Sequence, residues 1–324
     1  RQMCIRDSNK MIKEAVKMYK NTRICCALFM LFFAVSFLSG CKSEAGGKNH
    51  SDEQRVTATE YLVPSASGTV AYEGNGIIID ASNTSEGYVM VKYTGSADKV
   101  KLQITVPDST VYSYNLRPGD FETFPLSAGD GNYQIAVLEH ACDDLYAIAF
   151  SQDIEVTISD EFKPFLYPNQ YVWYTPDSEA VAFGAEISDK SSNDLDYVEQ
   201  VYRYVIENIT YDDALAANVQ ADYLPVIDNT LKEGKGICFD YASLMAAMFR
   251  SQNIPTKLVV GYSGDAYHAW ISVYLKETGW VNDIIKFDGK SWALMDPTLA
   301  ANNSNSSVKE YIGDGSNYTV KYSY

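Results

Sequence analysis

The sequence predicts an α+β protein in which an N-terminal β-sandwich is followed by a second domain of mixed helices and strands. Three observations support this. Short runs with alternating apolar residues recur along residues 56–160, at the spacing of about 8 to 12 residues that is typical of all-β domains. Two helical patterns follow, the first amphipathic and the second almost wholly apolar. Further strand patterns come after them. At 324 residues, the chain is long enough for about two domains.

The first domain is predicted to be an antiparallel sandwich of seven or more strands, spanning residues 56–160. The strand patterns are GTVAYE, GIIIDA, EGYVMVKY, KVKLQITV, TVYSYNL, GNYQIAVLE and DIEVTIS. Turn sequences such as EGNG, NTSEG, RPGD and AGDG separate them, because Gly, Asn, Asp and Pro supply the backbone conformations that tight turns require. The 25 tyrosines and the many Thr and Val residues also favour strands.

The second domain is predicted to span residues 161–324. It opens with DEFKPFLYPNQYVWYTPDSEAV, whose three prolines and six aromatic residues indicate a packed connector. Val198, Val201, Tyr202 and Val205 then have the spacing of one helix face. The stretch GKGICFDYASLMAAMFR is apolar almost all round, which is typical of a buried helix, and Pro255 ends it.

Three strands are predicted after that helix: KLVVGY, AYHAWISVYL and SWALMDP. In the second strand, His268 shares the more polar face with Trp270 and Ser272, because side chains alternate between the faces of a strand. Asp296 comes at the end of the third strand, just before a proline that ends pairing. The final YTVKYSY is predicted to be an edge strand.

The N-terminal region predicts export. Residues 1–41 contain basic residues, an apolar stretch from Ile24 to Leu38 and small residues before Cys41, which is the layout of a secretory signal peptide and too short for a comfortable membrane span. The LSGC sequence resembles a bacterial lipobox, which implies lipidation of Cys41 and a membrane-anchored, extracytoplasmic lipoprotein. A plain anchor helix is the alternative. Residues 42–55 are polar and aperiodic, as in a flexible tether.

Residues 1–10, RQMCIRDSNK, fit no export signal. We interpret RQMCIRDS as translated adapter sequence, which would place initiation at Met11 or Met18.

The composition excludes one class of partner. The formal net charge is −16, from 26 basic and 42 acidic residues, whereas proteins that bind nucleic acid draw their affinity from clustered Lys and Arg. We therefore expect no nucleic-acid partner. We also expect no metal and no cofactor, because the acidic clusters lack calcium-loop spacing and no His/Cys cluster has the spacing of a zinc site.

The residues that can carry chemistry are Cys238, His268 and Asp296. Cys238 begins the apolar helix, where backbone N–H groups and the helix dipole favour a thiolate and can stabilise an oxyanion. Of the three histidines, His50 falls in the tether and His140 in the sandwich, so His268 alone shares the predicted domain of Cys238. Asp296 is the natural group to orient the imidazole, because a strand paired beside the histidine strand would bring its carboxylate there.

Three blocks of the second domain resemble the transglutaminase-like superfamily: GKGICFDYASLMAAMFRSQNIPTKLVVGY, AYHAWISVYL and SWALMDPT. The resemblance covers about residues 180 to 300. It implies a papain-like/transglutaminase-like α+β fold with Cys238 as nucleophile, His268 as general acid and base, and Asp296 as its orienter. Tyr211, in NITYDD, matches the position of an aromatic residue near the oxyanion side. Asp240 and Tyr241 belong to the same motif, and we expect them to support the helix.

The resemblance leaves several functions open. Proteolysis, amide hydrolysis, deamidation and crosslinking share this triad, so the expected substrate is a protein, peptide or cell-wall peptide attacked through an acyl-enzyme. The main alternative is a non-catalytic surface binding module that keeps the fold as a scaffold. Thiol redox chemistry at Cys238 is a third. Cys142, near His140, is expected to be inert packing.

Overall fold

The computed structural model describes residues 55–281, 285–287, 292–294 and 317–324. Its mixed α+β architecture confirms the predicted fold class. Eight antiparallel strands form the N-terminal part: β1 Ala71–Gly74, β2 Ile77–Asp80, β3 Tyr88–Tyr93, β4 Val100–Thr105, β5 Val111–Leu116, β6 Glu122–Pro125, β7 Gly131–Cys142 and β8 Leu145–Val156. They lie in two four-stranded sheets, ordered β1-β2-β3-β6 and β5-β4-β7-β8.

The two sheets contact each other as in a β-sandwich. The Tyr114 ring on β5 meets the Phe124 ring on β6 with 4.8 Å between centroids. The Tyr93 hydroxyl on β3 donates to Glu139 Oε1 on β7 at 2.6 Å. Alternate positions are buried along β4, as expected for a strand with one face on the core. The sequence patterns missed β6 and placed the start of β8 too late, because β8 is largely exposed and has no clear alternation.

The connector and five helices follow. Phe165, Val172 and Tyr174 of the connector are buried, which confirms the packed connector predicted from its aromatic residues. The helices are α1 Glu179–Asp189, α2 Asp194–Asn208, α3 Asp213–Asn218, α4 Ile227–Glu233 and α5 Cys238–Ser251. Asn193 caps α2 by accepting from the Asp196 N–H at 2.9 Å. The sequence predicted α2 and α5, but not the short helices between them.

The strands of the second domain flank and follow α5. They are β9 Thr210–Tyr211, β10 Lys235–Gly236, β11 Thr256–Ser263, β12 Ala266–Leu275, β13 Gly279–Val281, β14 Ile285–Phe287, β15 Trp292–Leu294 and β16 Tyr318–Ser323. The main sheet has the order β13-β12-β11-β16. The predicted last edge strand is therefore confirmed: β16 pairs antiparallel with β11.

Every residue of α5 is buried. The helix packs against β11 and β12 on one side and against helices α1, α2 and α4 elsewhere, which explains why its sequence is apolar all round. Arg250, near its C-terminus, is 2% exposed. Its guanidinium donates to the main-chain oxygens of Thr256, Tyr167 and Tyr324 at 2.9, 2.9 and 2.7 Å. One buried side chain thus joins α5 to the connector, β11 and the C-terminal strand.

A cluster of aromatic side chains joins the sandwich to the second domain. Tyr114 and Tyr112 on β5 contact the ring of Tyr324, with centroids 5.8 and 5.4 Å apart. Tyr171 of the connector also contacts Tyr324, at 4.6 Å. The Ser127 hydroxyl of the sandwich donates to the main-chain oxygen of Ser323 at 2.7 Å. The buried apolar residues of both parts consequently form one continuous cluster.

Arg55, assigned by composition to the end of the tether, is held against the second domain. Its side chain is only 3% exposed and lies over the Tyr197 ring of α2 at 4.4 Å. It pairs with Asp194 and donates to the main-chain oxygen of Gln252 at 2.9 Å. The chain therefore crosses the helices of the second domain before it enters the first strand of the sandwich, an arrangement that local composition does not encode.

Replacing Arg250 by Met should lower the free energy of unfolding by more than about 2 kcal/mol. The substitution removes the donor to three main-chain oxygens. The Tyr324 oxygen still accepts from the Leu258 N–H, and each oxygen left unsatisfied costs roughly 1–3 kcal/mol. Urea unfolding of Arg250→Met measures the change. Arg203→Met, at an exposed position of α2, is the matched control and should change stability by less than about 0.5 kcal/mol. Equal stability of the two variants would contradict the assigned role of Arg250.

Candidate active site

The local sequence fixes where α5 begins. Cys238 is the first helical residue, and Ile237 before it is extended, with φ −98° and ψ 176°. The Asp240 Oδ2 accepts a hydrogen bond from the Ile237 N–H at 2.8 Å. A carboxylate in the first turn is also favoured by the positive end of the helix dipole. The aspartate two residues after the cysteine therefore holds the turn that presents Cys238.

The two glycines before Cys238 are required by the backbone. Gly234 ends α4 in the left-handed region, at φ 63°, which glycine adopts without steric cost. At Gly236, an added Cβ would lie 2.6 Å from the Asp240 Cβ. Both glycines of the GKGICFD sequence thus have a structural reason. Gly234 ends α4, and Gly236 leaves room for the Asp240 carboxylate at the start of α5.

Asp240 has a second donor, which sequence analysis missed. The Tyr223 hydroxyl donates to the Asp240 Oδ1 at 2.6 Å. Burial raises the pKa of Asp240, while the hydrogen bonds from Tyr223 and Ile237 act to lower it. Tyr241, next along the helix, donates from its hydroxyl to the main-chain oxygen of Ile209 at 2.7 Å. The prediction that Asp240 and Tyr241 support the helix is confirmed.

Tyr211 lies beside the segment that leads into Cys238. Strand β9 pairs in parallel with β10, so that Tyr211 is opposite Gly236, two residues before the cysteine. The N–H of Asp212 donates to the Gly236 oxygen at 2.9 Å, which fixes this register. The structure therefore brings the Tyr211 backbone to the start of α5.

His268 lies on β12, opposite Gly261 of β11, and is 3% exposed. Its ring stacks with that of Trp270, with 6.1 Å between centroids and planes 24° apart. Trp270 in turn meets the Tyr318 ring edge-on. Strand alternation places His268 on the same face as Trp270 and Ser272, and Tyr267 and Ala269 on the opposite face.

Strand β12 and the start of α5 lie together. The Tyr267 hydroxyl interacts electrostatically with the Cys238 thiol. The pKa of Tyr267 is raised to about 12, mainly by burial, with smaller contributions from Tyr322, Tyr262 and Cys238, so Tyr267 is a neutral donor at physiological pH. Cys238 itself is 1% exposed.

A cavity of about 330 Å³ opens at this place. Phe239, the residue after Cys238, lines it, and so do Tyr267 and Ala269 on either side of His268 in the chain. The loop from Val219 to Leu224 forms another wall. The sandwich contributes Asn115, whose side-chain amide donates to the Ala221 oxygen at 2.9 Å. Both domains therefore build the cavity beside the candidate nucleophile.

Two predicted site residues, Asp296 and Cys41, lie outside the described residues. The strand before Asp296, β15, pairs with β14, whereas the described neighbours of β12 are β11 and β13. The expected pairing of the Asp296 strand beside the histidine strand is thus not seen in the described part of the chain.

The prediction that Cys142 is packed is wrong, whereas its inertness stays a prediction. Cys142 is exposed at the end of β7, where the pairing with β8 is irregular. His140, two residues earlier, bonds through Nε2 with the Asp143 oxygen at 2.9 Å. Across the ranges given above, no group of three or more His, Cys, Asp or Glu side chains is placed to hold a metal ion.

The residues that sequence reasoning missed are Tyr223, Tyr267 and Gln170. Each acts through a contact between segments distant in sequence, so no spacing rule could reveal it. The sequence shows that Tyr267 precedes His268. Its proximity to the Cys238 thiol is known only from the packing of β12 on α5.

The fold and the site define a thiol-bearing α+β domain of the transglutaminase-like class. Residues 181–283 match the model of the Transglutaminase-like superfamily, so the chain carries a transglutaminase-like domain. The matched region includes Cys238 and His268, and the predicted recognition is confirmed.

Three solved structures are similar to this chain at low identity. The "Putative Cysteine Protease" from Cytophaga hutchinsonii is 14% identical over 73% of this chain and 83% of its own, with a TM-score of 0.37. The periplasmic domain of TgpA from Pseudomonas aeruginosa, bound to ethylmercury, is 15% identical over 63% and 91%, with a TM-score of 0.34. Red sea bream transglutaminase is 13% identical over 67% and 48%, with a TM-score of 0.30. No curated protein matches the chain.

Replacing Tyr223 by Phe should lower the free energy of unfolding by about 1–3 kcal/mol at neutral pH, because the buried Asp240 carboxylate loses a donor. The cost should shrink on acidification. Because burial raises the pKa of Asp240, the folded chain binds that proton more tightly than the unfolded chain. The stability that this proton contributes is fully present below the ordinary Asp pKa of 3.8. It is lost as the pH rises through the raised pKa of Asp240. Losing the Tyr223 donor raises that pKa further.

Urea unfolding of Tyr223→Phe at about pH 7 and about pH 4 checks this, since the lower pH is close to the ordinary pKa of an Asp carboxyl group. Tyr204→Phe is the control, because its hydroxyl has no hydrogen-bond partner among the residues that the structure describes. A loss that is the same at both pH values would show that Asp240 is not the group involved.

Proposed function

We propose that this protein is a surface-anchored thiol enzyme that cleaves or transfers amide and peptide bonds. Cys238 is the nucleophile, His268 the general base and acid, and Asp296 the group that orients the imidazole. Tyr211 is the candidate for the oxyanion side. The observation that carries the proposal is the start of α5. A cysteine is the first residue of this wholly buried helix, the helix packs against the histidine strand, and the next residue, Phe239, lines a cavity.

The chemical steps follow from these roles. The Cys238 sulfur bonds to the substrate carbonyl carbon as its proton passes to His268, and the carbonyl oxygen becomes an oxyanion. When the oxyanion collapses, the C–N bond breaks and the leaving amine takes the proton from His268. Water or a second amine then attacks the thioester and releases the thiol. The acceptor decides between hydrolysis and acyl transfer.

The cap restricts which groups can stabilise the oxyanion. The N–H of Ile237 is bound to Asp240, and the N–H of Asp240 is bound to the Ile237 oxygen at 2.9 Å. Neither of these two N–H groups is therefore available to an oxyanion. Strand β9 places Tyr211 opposite Gly236, which supports its assignment to this role.

The location is part of the proposal. Export by residues 1–40 and lipidation of Cys41 would hold the protein at the outer face of a membrane, where protein, peptide or cell-wall peptide substrates are present. The support is the order of basic, apolar and small residues before the cysteine. In the part of the chain that the structure describes, no helix is both long and apolar enough to cross a bilayer.

The near-complete burial of Cys238 and His268, at 1% and 3% exposure, favours a second candidate. A non-catalytic binding module would keep the fold as a scaffold, and its buried thiol would react slowly. The two candidates therefore differ in the reactivity of one sulfur atom.

Iodoacetamide alkylation, followed by peptide mass spectrometry across pH, distinguishes the candidates. Cys142 supplies an internal reference, because it is exposed. An activated Cys238 should react faster than Cys142 despite its burial, with a rate that is half-maximal below about pH 8.5. His268→Ala should lower the Cys238 rate by about tenfold or more and leave Cys142 unchanged.

Tyr267→Phe completes the design, because Tyr267 and His268 lie on opposite faces of β12 and either can influence the thiol. If Tyr267→Phe, and not His268→Ala, removes the reactivity, the histidine is not the base. If Cys238 is alkylated more slowly than Cys142, and neither substitution changes its rate, the domain is a non-catalytic scaffold.

A further inference from the structure

The cavity beside Cys238 has a chemical character that points to one class of ligand. None of the described residues that line it is charged, although 21% of the chain is Asp, Glu, Lys or Arg. Five aromatic side chains form much of its surface: Tyr171, Tyr223, Phe239, Tyr267 and Tyr324. A charged group placed there would lose its hydration without gaining a counter-charge from these residues.

One buried polar atom in the wall lacks a partner. Gln170 is 6% exposed, and its Nε2 donates to the Asn115 oxygen and to Glu122 Oε2, both at 2.7 Å. These two acceptors fix which end of the amide is the nitrogen. The remaining oxygen, Oε1, is buried and accepts no hydrogen bond in the part of the chain that the structure describes. A buried acceptor without a donor is costly, and because this oxygen has almost no accessible surface it lies behind the surface of the cavity.

The wall is also tied to the start of α5. Tyr223 faces the cavity from the loop and donates to Asp240, which caps the helix at Cys238. Phe239 and Tyr267 line the cavity on the side of the thiol. A ligand in the cavity would therefore lie against the residues that hold the nucleophile in place.

We propose that this cavity is a specificity pocket, formed jointly by the sandwich and the transglutaminase-like domain, that takes an uncharged aromatic or large aliphatic side chain of a peptide. The proposal rests on the proposed function for its catalytic meaning. The volume of about 330 Å³ is at the lower end of ligand pockets, which are roughly 300–1,000 Å³. It suits one large side chain with part of its backbone.

The test is binding of short peptides, measured by isothermal titration calorimetry on the whole protein carrying Cys238→Ala, which lacks the proposed nucleophile and so leaves the peptides intact. The probes are acetyl-Tyr-Ala-amide, acetyl-Glu-Ala-amide and acetyl-Lys-Ala-amide. The tyrosine peptide should bind at least about tenfold more tightly than either charged peptide, because the charged side chains would be desolvated without compensation.

A matched pair of variants locates the binding site. Ala221→Trp places a large ring at an exposed position of the cavity wall, and its main-chain oxygen keeps the bond from Asn115. It should weaken binding of the tyrosine peptide by about tenfold or more, as expected when a bulky side chain fills a pocket. Ala217→Trp, exposed on α3 and not part of the wall, should leave it within about twofold.

The outcomes separate this pocket from the catalytic proposal. Selective binding that Ala221→Trp abolishes supports the pocket, even if Cys238 proves unreactive. Equal affinity for the three peptides would overturn the proposed pocket, and so would an equal loss of affinity in both Trp variants. Neither result bears on Cys238, whose reactivity is measured by alkylation.

Discussion

The second domain is organised around a helix that has no solvent-exposed side. All fourteen residues of α5 are buried, so each polar group on it must be satisfied by protein. Asp240 achieves this at the N-terminus, where it binds Ile237 and Tyr223. Arg250 achieves it near the C-terminus, where it binds three main-chain oxygens. The position of the helix is thereby fixed at both ends by directional bonds as well as by apolar packing.

This constraint explains how a single cysteine can be placed accurately. A reactive group at the end of a rigid, buried element needs less reorganisation than one on a loop. The groups around Cys238 come from different parts of the chain: Tyr211 from β9, Tyr267 and His268 from β12, and Tyr223 from the loop after α3. Since Arg250 also holds the connector and Tyr324, the arrangement of the site depends on contacts far from the thiol.

The sandwich contributes to the same arrangement. Tyr114 packs on Tyr171 and Tyr324, and Asn115, the next residue, reaches the loop at Ala221. Tyrosine suits this interface because its large ring is mostly apolar and packs well against other rings. The sandwich thus forms part of the cavity wall.

Sequence patterns predicted the elements with strong periodicity or an unusual composition. The alternating strands of the sandwich, the apolar α5 and the edge strand β16 were all expected for that reason, and the position of Cys238 at a helix start followed from the glycines and the apolar run. The contacts of Arg250, Arg55, Tyr223 and Gln170 could not be predicted. Each side chain contacts a segment at least 17 residues away in the sequence, and only the folded chain brings those segments together.

The central claim is that Cys238 forms a covalent acyl intermediate. The most direct measurement mixes the protein with p-nitrophenyl acetate, quenches it with acid after short times and finds the acetyl group by peptide mass spectrometry. The account predicts that Cys238 is acetylated before the exposed Cys142, and that the acetyl group on Cys238 is then lost to water as the enzyme turns over. Acetylation of Cys142 with Cys238 left unmodified would contradict it.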